Sequence, residues 1–134
     1  MANKPRAIVP DKGLRAAKNT SGSKISKKTL VKLKDGTVDD EVIPTAAATD
    51  AIYGVAYEDI ADDAYGDIQV HGRAIVVSAG AVTKGSRVTH GSGAKGAAAS
   101  GGNSFIGTAV TTAGGADEDI EVELLGPGGA EMPG

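Results

Sequence analysis

The chain has 134 residues, no cysteine, four aromatic residues and a net charge of −3. That length allows one domain, or one domain with an arm. Without cysteine there is no disulfide, no thiolate metal site and no thiol nucleophile. The start, Met-Ala-Asn-Lys-Pro-Arg, has no apolar signal core, and no apolar run approaches the roughly 18 residues of a membrane span. The expectation is therefore a protein made and used without export or membrane contact.

The apolar residues favour strands. There are 12 Val and 9 Ile against 5 Leu, and Gly with Ala supplies 42 residues. Branched side chains pack well on a pleated sheet and lose rotamer freedom in a helix. A core of Val, Ile and Ala is thin, so oligomerisation or docking on a partner is expected to add burial. Charge is also divided along the chain. Residues 1–40 carry ten bases and four acids, for +6, while residues 41–134 carry four bases and thirteen acids, for −9. A basic front on an acidic body suggests an arm that seeks an acidic surface.

Residues 1–22 read as an extended arm. Pro5 and Pro10 resist helix, Asn19-Thr20-Ser21-Gly22 is a loop signature, and Arg6-Ala7-Ile8-Val9 is a short strand candidate. Such a patch can add to a sheet edge on another subunit. The body, residues 23–125, reads as short strands between turns. Thr29–Lys34, an Asp35-Gly36 hairpin turn and Val38–Ile43 come first, closed by Pro44. The Ala-rich stretch Thr45–Asp50, which follows, is expected to form one helical turn. Ile52–Tyr57, Ile68–His71 and Ala74–Val77 are the next strands, with Gly72-Arg73 between the last two, then Arg87–His90, Phe105–Val110 and Ile120–Leu125. In the last, Ile120, Val122 and Leu124 alternate with Glu121 and Glu123, the pattern of a half-buried strand. Residues 126–134 form a Gly/Pro-rich tail, expected to be flexible.

The chain also resembles itself. Ile25–Val31 matches Val82–Val88, Ile52–Ala56 matches Phe105–Ala109, and Asp67–Val70 matches Asp119–Val122, in the same order. Two related β units are expected, at 21–77 and 79–125. The fold class expected is all-β, a small barrel or sandwich built from these units with an extended N-terminal arm.

Chemical motifs are few. Gly91-Ser92-Gly93-Ala94-Lys95-Gly96 has dinucleotide-loop spacing and Asp117 follows, but residues 97–100 are too few for the required helix, so a flexible loop is expected. His71 and His90 have no paired ligand spacing. Glu58, Asp59, Asp62, Asp63 and Asp67 form an acidic cluster without the spacing of a calcium loop. No nucleophile-base-acid grouping is present. The basic arm lacks aromatics for base stacking, and the acidic body repels phosphate. No catalytic residue, cofactor, metal, nucleic acid or membrane partner is therefore expected. The alternative reading is a β-rich ligand-binding module or an accessory domain of a larger enzyme system.

Four segments resemble the capsid cement, or decoration, proteins of tailed bacteriophages: Ile52–Asp59, Asp67–Ala74, Ala79–Val88, and Phe105–Ala109 leading to Ile120–Leu124. The resemblance covers about residues 23–125. It implies a non-enzymatic protein made in the host cytoplasm and carried on the outer surface of the virion. There it would bridge major capsid protein subunits and stabilise the head. It also implies self-association, as trimers in the first instance and dimers as the alternative. The capsid-binding residues chosen on charge and position are Lys4, Arg6, Ile8, Val9, Lys12, Arg15 and Lys18.

Overall fold

The computed structural model describes residues 13–34, 40–126 and 130–132. Strands and turns account for the regular structure there, and none of the described residues is helical. The first five strands are β1 (Leu14–Asn19), β2 (Leu30–Leu33), β3 (Glu41–Pro44), β4 (Gly54–Ala56) and β5 (Tyr65–Gln69). They close into a barrel in the order β1-β3-β2-β4-β5. β6 (Gly72–Val77), β7 (Arg87–Gly91), β8 (Lys95–Ala98), β10 (Gly107–Ala109) and β11 (Asp119–Leu124) form a second sheet, ordered β6-β11-β10-β7-β8. A parallel bridge from Ser78 to Gly96 links the two ends of that sheet. β9 (Ser104–Phe105) pairs with β12 (Ala130–Glu131).

Alternation builds both cores. Ile120, Val122 and Leu124 point inward from β11, and Ala74 and Val76 from β6. Ala17, Val31, Val42, Ala56 and Ile68 fill the first barrel, with Ile25 and Ile60 from its loops. Leu30, Ile52 and Val55 leave the first unit and join the second core, so the two units share apolar surface.

The two units repeat one backbone plan. Ile25 and Ile60 exchange hydrogen bonds of 2.9 and 2.8 Å, as Val82 and Ala113 do at 3.0 and 2.8 Å. Lys28 N–H donates to Ala56 O, and Gly85 N–H to Ala109 O. Asp63 N–H donates to Asn19 O, and Asp117 N–H to Ser78 O, with both aspartates at φ 63°. Hence β1 corresponds to β6, β2 to β7, β3 to β8, β4 to β10 and β5 to β11.

Several expectations are corrected. Leu14–Asn19, placed in the arm, is a barrel strand paired along β5 from Leu14↔Gln69 to Lys18↔Tyr65. The short side chains of Ala16 and Ala17 gave little alternation to read, and pairing supplied the order. β6 pairs within the second unit, so the repeats start near residues 13 and 72, not 21 and 79. The Gly91–Gly96 stretch is the turn and start of a β7–β8 hairpin, not a flexible loop. In the tail, Ala130 and Glu131 take up the edge of β9. Thr45–Asp50 makes a non-helical turn closed by Asp50 N–H to Ala47 O at 3.0 Å, not the expected helical turn. The Arg6–Val9 strand and the Asp35-Gly36 turn lie outside the described residues.

Gly54 and Gly107 occupy equivalent positions, on β4 and β10. A Cβ at either would run into facing backbone, the carbonyl oxygen of Gln69 or of Glu123. Gly80 has open space around it. Gly54→Ala and Gly107→Ala are each expected to lower stability by about 1–3 kcal/mol, while Gly80→Ala stays within about 0.5 kcal/mol. Urea unfolding checks this, and equal midpoints for all three would contradict the close approach.

Candidate functional site

Among the described residues, two clefts lie at the junction between the units. The first, of about 390 Å³, is lined by residues that include Lys27, Lys28, Val55, Tyr57, Arg73 and Ile75. Its floor is the end of β4 and its wall is β6. The second, of about 520 Å³, includes Lys24, Thr29, Thr45, His90 and Ser92.

Lys28 stands out in the first cleft. Its φ of 78° is left-handed, where the equivalent residue of the second unit is Gly85. A side chain there costs about 1 kcal/mol or more. Lys28 uses that conformation to reach across the junction, with Nζ 2.9 Å from Asp119 Oδ2. Arg73 meets Glu121 and Glu123 at 3.6 and 3.5 Å. Tyr57 and Ile75 stand exposed in the same cleft, at 57% and 40%. No pattern in the chain marks either as exposed. Ile75 sits inside the unbroken run Ala74-Ile75-Val76-Val77, where no polar neighbour marks the outer face.

The expected capsid-contact residues divide. Lys4, Arg6, Ile8, Val9 and Lys12 lie outside the described residues. Arg15 and Lys18 are on β1, three positions apart in a strand and therefore on opposite faces. Arg15 Nη1 donates to Leu14 O at 2.9 Å, and Lys18 is half-buried. The fold does not bring these two together as one patch.

The acidic cluster shapes loops. Glu58 Oε2 accepts from Asp67 N–H, Asp59 Oδ1 from Lys27 N–H and Asp62 Oδ1 from Gly22 N–H, at 2.9, 2.8 and 2.8 Å. Asp117 pairs with Lys95. The carboxylates of Glu58, Asp59 and Asp62 therefore hold turns, and that of Asp117 a neighbouring cation. Among the described residues no three His, Asp or Glu converge as a metal-ligand set.

The second cleft contains a polar latch. Thr45 Oγ1 lies 2.7 Å from His90 Nδ1, tying the segment after β3 to β7. Asp50 Oδ2 accepts from the N–H groups of Ala46 and Ala47 and lies 3.2 Å from Lys32 Nζ. Burial works to raise the Asp50 carboxyl, but those two N–H groups and Lys32 outweigh it and hold it below its ordinary value. Burial pushes His90 below its ordinary value, helped by Lys32 and opposed by Asp50.

A family model described as phage cement protein matches residues 11–124. No curated protein matches the chain. Among solved structures, the head fiber gp8.5 N base of bacteriophage phi29 is similar, with a TM-score of 0.65 and 16% identity. The match covers 83% of this chain and 93% of that one. At this identity the likeness is one of fold.

Acid should loosen the latch. A histidine lowered in the folded state contributes stability that is complete above about pH 6.5 and is lost as pH falls through its lowered value. Asp50 adds a second loss below its ordinary 3.8, as pH falls through its own lowered value. The melting temperature is expected to decline from about pH 7 toward 5. His90→Gln, which keeps a polar partner for Thr45, should flatten that first decline. An unchanged pH profile in the variant would remove His90 from the account.

Proposed function

The chain belongs to the phage cement protein family and has a structural role at the phage capsid; from that premise we propose that it docks on the exterior of the assembled head. There it bridges neighbouring major capsid protein subunits and holds the shell against internal pressure. The observation that carries this reading is the family match over residues 11–124, which spans both β units.

The physical features fit the task. A five-stranded barrel and a five-stranded sheet joined through Leu30, Ile52 and Val55 make one continuous body. Ahead of Gly13 stand twelve residues with Lys4, Arg6 and Lys12 against one acid, Asp11. A basic segment favours an acidic shell surface through contacts that salt weakens. Many copies on a symmetric shell make weak single contacts effective. Self-association, as trimers or dimers, belongs to the same reading and would place several arms around one site. Arg15 and Lys18 contribute here as exposed and half-buried charges of a barrel strand, not as arm residues.

The barrel role of β1 decides how to test the arm. Removing residues 2–20 would delete a strand and unfold the body, so the deletion should stop at Lys12. A chain lacking residues 2–12 is expected to keep its β circular dichroism and to bind undecorated heads about tenfold or more weakly. Binding of the full chain should fall as sodium chloride rises from about 0.05 to 0.5 M. Full occupancy by the shortened chain would remove the arm from the shell contact. Failure of the full chain to bind heads at low salt would overturn the reading.

A further inference from the structure

One edge of β6 carries open backbone groups. Ser78 N–H donates to Glu118 O, so even-numbered residues of β6 bond toward β11. Ile75 lies opposite Glu121. The N–H of Glu121 donates to Thr111 Oγ1 and its carbonyl accepts from Val110 N–H, both on the far side of β11. Ile75 therefore turns its own N–H and C=O outward, and no described residue meets them. Two positions along, the Arg73 carbonyl accepts from Gln69 Nε2 at 3.0 Å. Of the large apolar side chains exposed among the described residues, Tyr57 and Ile75 share the cleft beside this edge. Asn19 and Ser78 are equivalent, so the first-unit counterpart of Ile75 is Ala16 and offers only a methyl group. An open edge beside an apolar floor accepts an added strand.

The charge of the cleft says what kind of strand fits. Lys27, Lys28 and Arg73 are among its described lining residues and no carboxylate is, although residues 41–134 carry a net −9. Lys28 and Arg73 meet Asp119, Glu121 and Glu123 through exposed ion pairs, which hold weakly against a new partner. Lys27 Nζ has no carboxylate partner among the described residues. Gly13 lies against His71 beside this cleft, which makes the chain's own front a competing occupant. Residues 1–12 hold Lys4, Arg6 and Lys12 against Asp11, and three cations disfavour a basic segment. The chain's own acidic strand, Asp119–Leu124, is paired along both edges and is not free to enter a second copy. The complementary occupant is an acidic segment of a different protein.

We propose that an extended acidic segment of a partner protein adds as a strand to the β6 edge at Ile75, with an apolar side chain on Ile75 and Tyr57 and carboxylates against Lys27, Lys28 and Arg73. On an added strand the residue opposite Ile75 shares its face, and the residue two positions along meets Arg73. The segment therefore reads acid-x-apolar. The docking reading above makes that partner the shell protein, and this inference rests on it for the partner's identity alone.

The probe is the synthetic peptide Ser-Glu-Thr-Val-Thr-Glu-Ser, added to the full chain and followed by amide NMR and hydrogen exchange. The Ile75 amide should exchange quickly in the dilute free protein. It should then shift and gain several-fold protection as peptide is added, with a Kd of about 1 mM or tighter. The same peptide with Lys in place of Glu should bind about tenfold or more weakly. Lys27→Glu, which breaks no ion pair among the described residues, should weaken the Glu peptide about threefold or more. A slowly exchanging Ile75 amide in the free dilute protein would give the edge to the chain's own front or to a second copy, and would overturn the proposal. So would no response to the Glu peptide at about 5 mM, or equal binding of the two peptides. A thymidine oligonucleotide that shifts Ile75 in the peptide's place would give the cations to nucleic acid and overturn it too. Heads that bind the full chain while the peptide does not bind sink this inference alone. Peptide binding without head binding upholds the cleft's chemistry and sinks only the shell reading.

Discussion

Closing five short strands into a ring forces backbone against backbone. Barrel diameter grows with strand number, and the buried core of the five-stranded barrel holds only Ala, Val and Ile. At Gly54 and Gly107 the facing carbonyls leave no room even for a methyl group. At Gly66 a Cβ would meet the Ile60 side chain at 2.5 Å. The composition follows from this geometry. Of the aromatic residues, Phe105 is buried outside both cores, with Arg87 over its ring at 4.8 Å. Tyr57 and Tyr65 are exposed, and Tyr53 packs at the margin of the first core.

The same limit makes the two units depend on each other. Each small core residue buries little area, worth about 1.5–3 kcal/mol for a full Val or Ile. Leu30, Ile52 and Val55 extend the second core with side chains from the first. The segment after β3 adds polar ties: Ser104 N–H and Thr89 Oγ1 both donate to Ala48 O, and Ser104 Oγ to Thr49 O. The repeat is kept where closure needs it, at the paired glycines and the exchanged loop bonds. It is broken where the units meet, as at Lys28, which has a left-handed backbone and an ion pair with Asp119 where the second unit has Gly85. Divergence between the copies therefore marks the interface and the clefts beside it.

Strong alternation was readable and weak alternation was not. β11 announced itself through Ile120, Val122 and Leu124 against Glu121 and Glu123. β2, β4 and β10 lie within the expected strands, and β7 runs one residue past its own to Gly91, because branched residues bracket their turns. β1 and β8 were missed because Leu14-Arg15-Ala16-Ala17 and Lys95-Gly96-Ala97-Ala98 carry few large apolar side chains. Their order comes from ladder partners distant in the chain, such as Arg15↔Ile68 and Val88↔Ala98. The acidic cluster is likewise a set of loop ties that only three-dimensional neighbours reveal.

The class of this protein is written along the chain: all-β, internally doubled, basic in front and acidic behind, with the segments that resemble phage cement proteins. Those properties are local or compositional, so periodicity and self-comparison expose them. Tertiary structure alone decided where the arm ends, which strands open each repeat, and that one edge of β6 stays unpaired beside Tyr57 and Ile75. These depend on which strands close the ring. Ring closure is settled by hydrogen bonds between residues about fifty positions apart, and no window along the chain contains both partners.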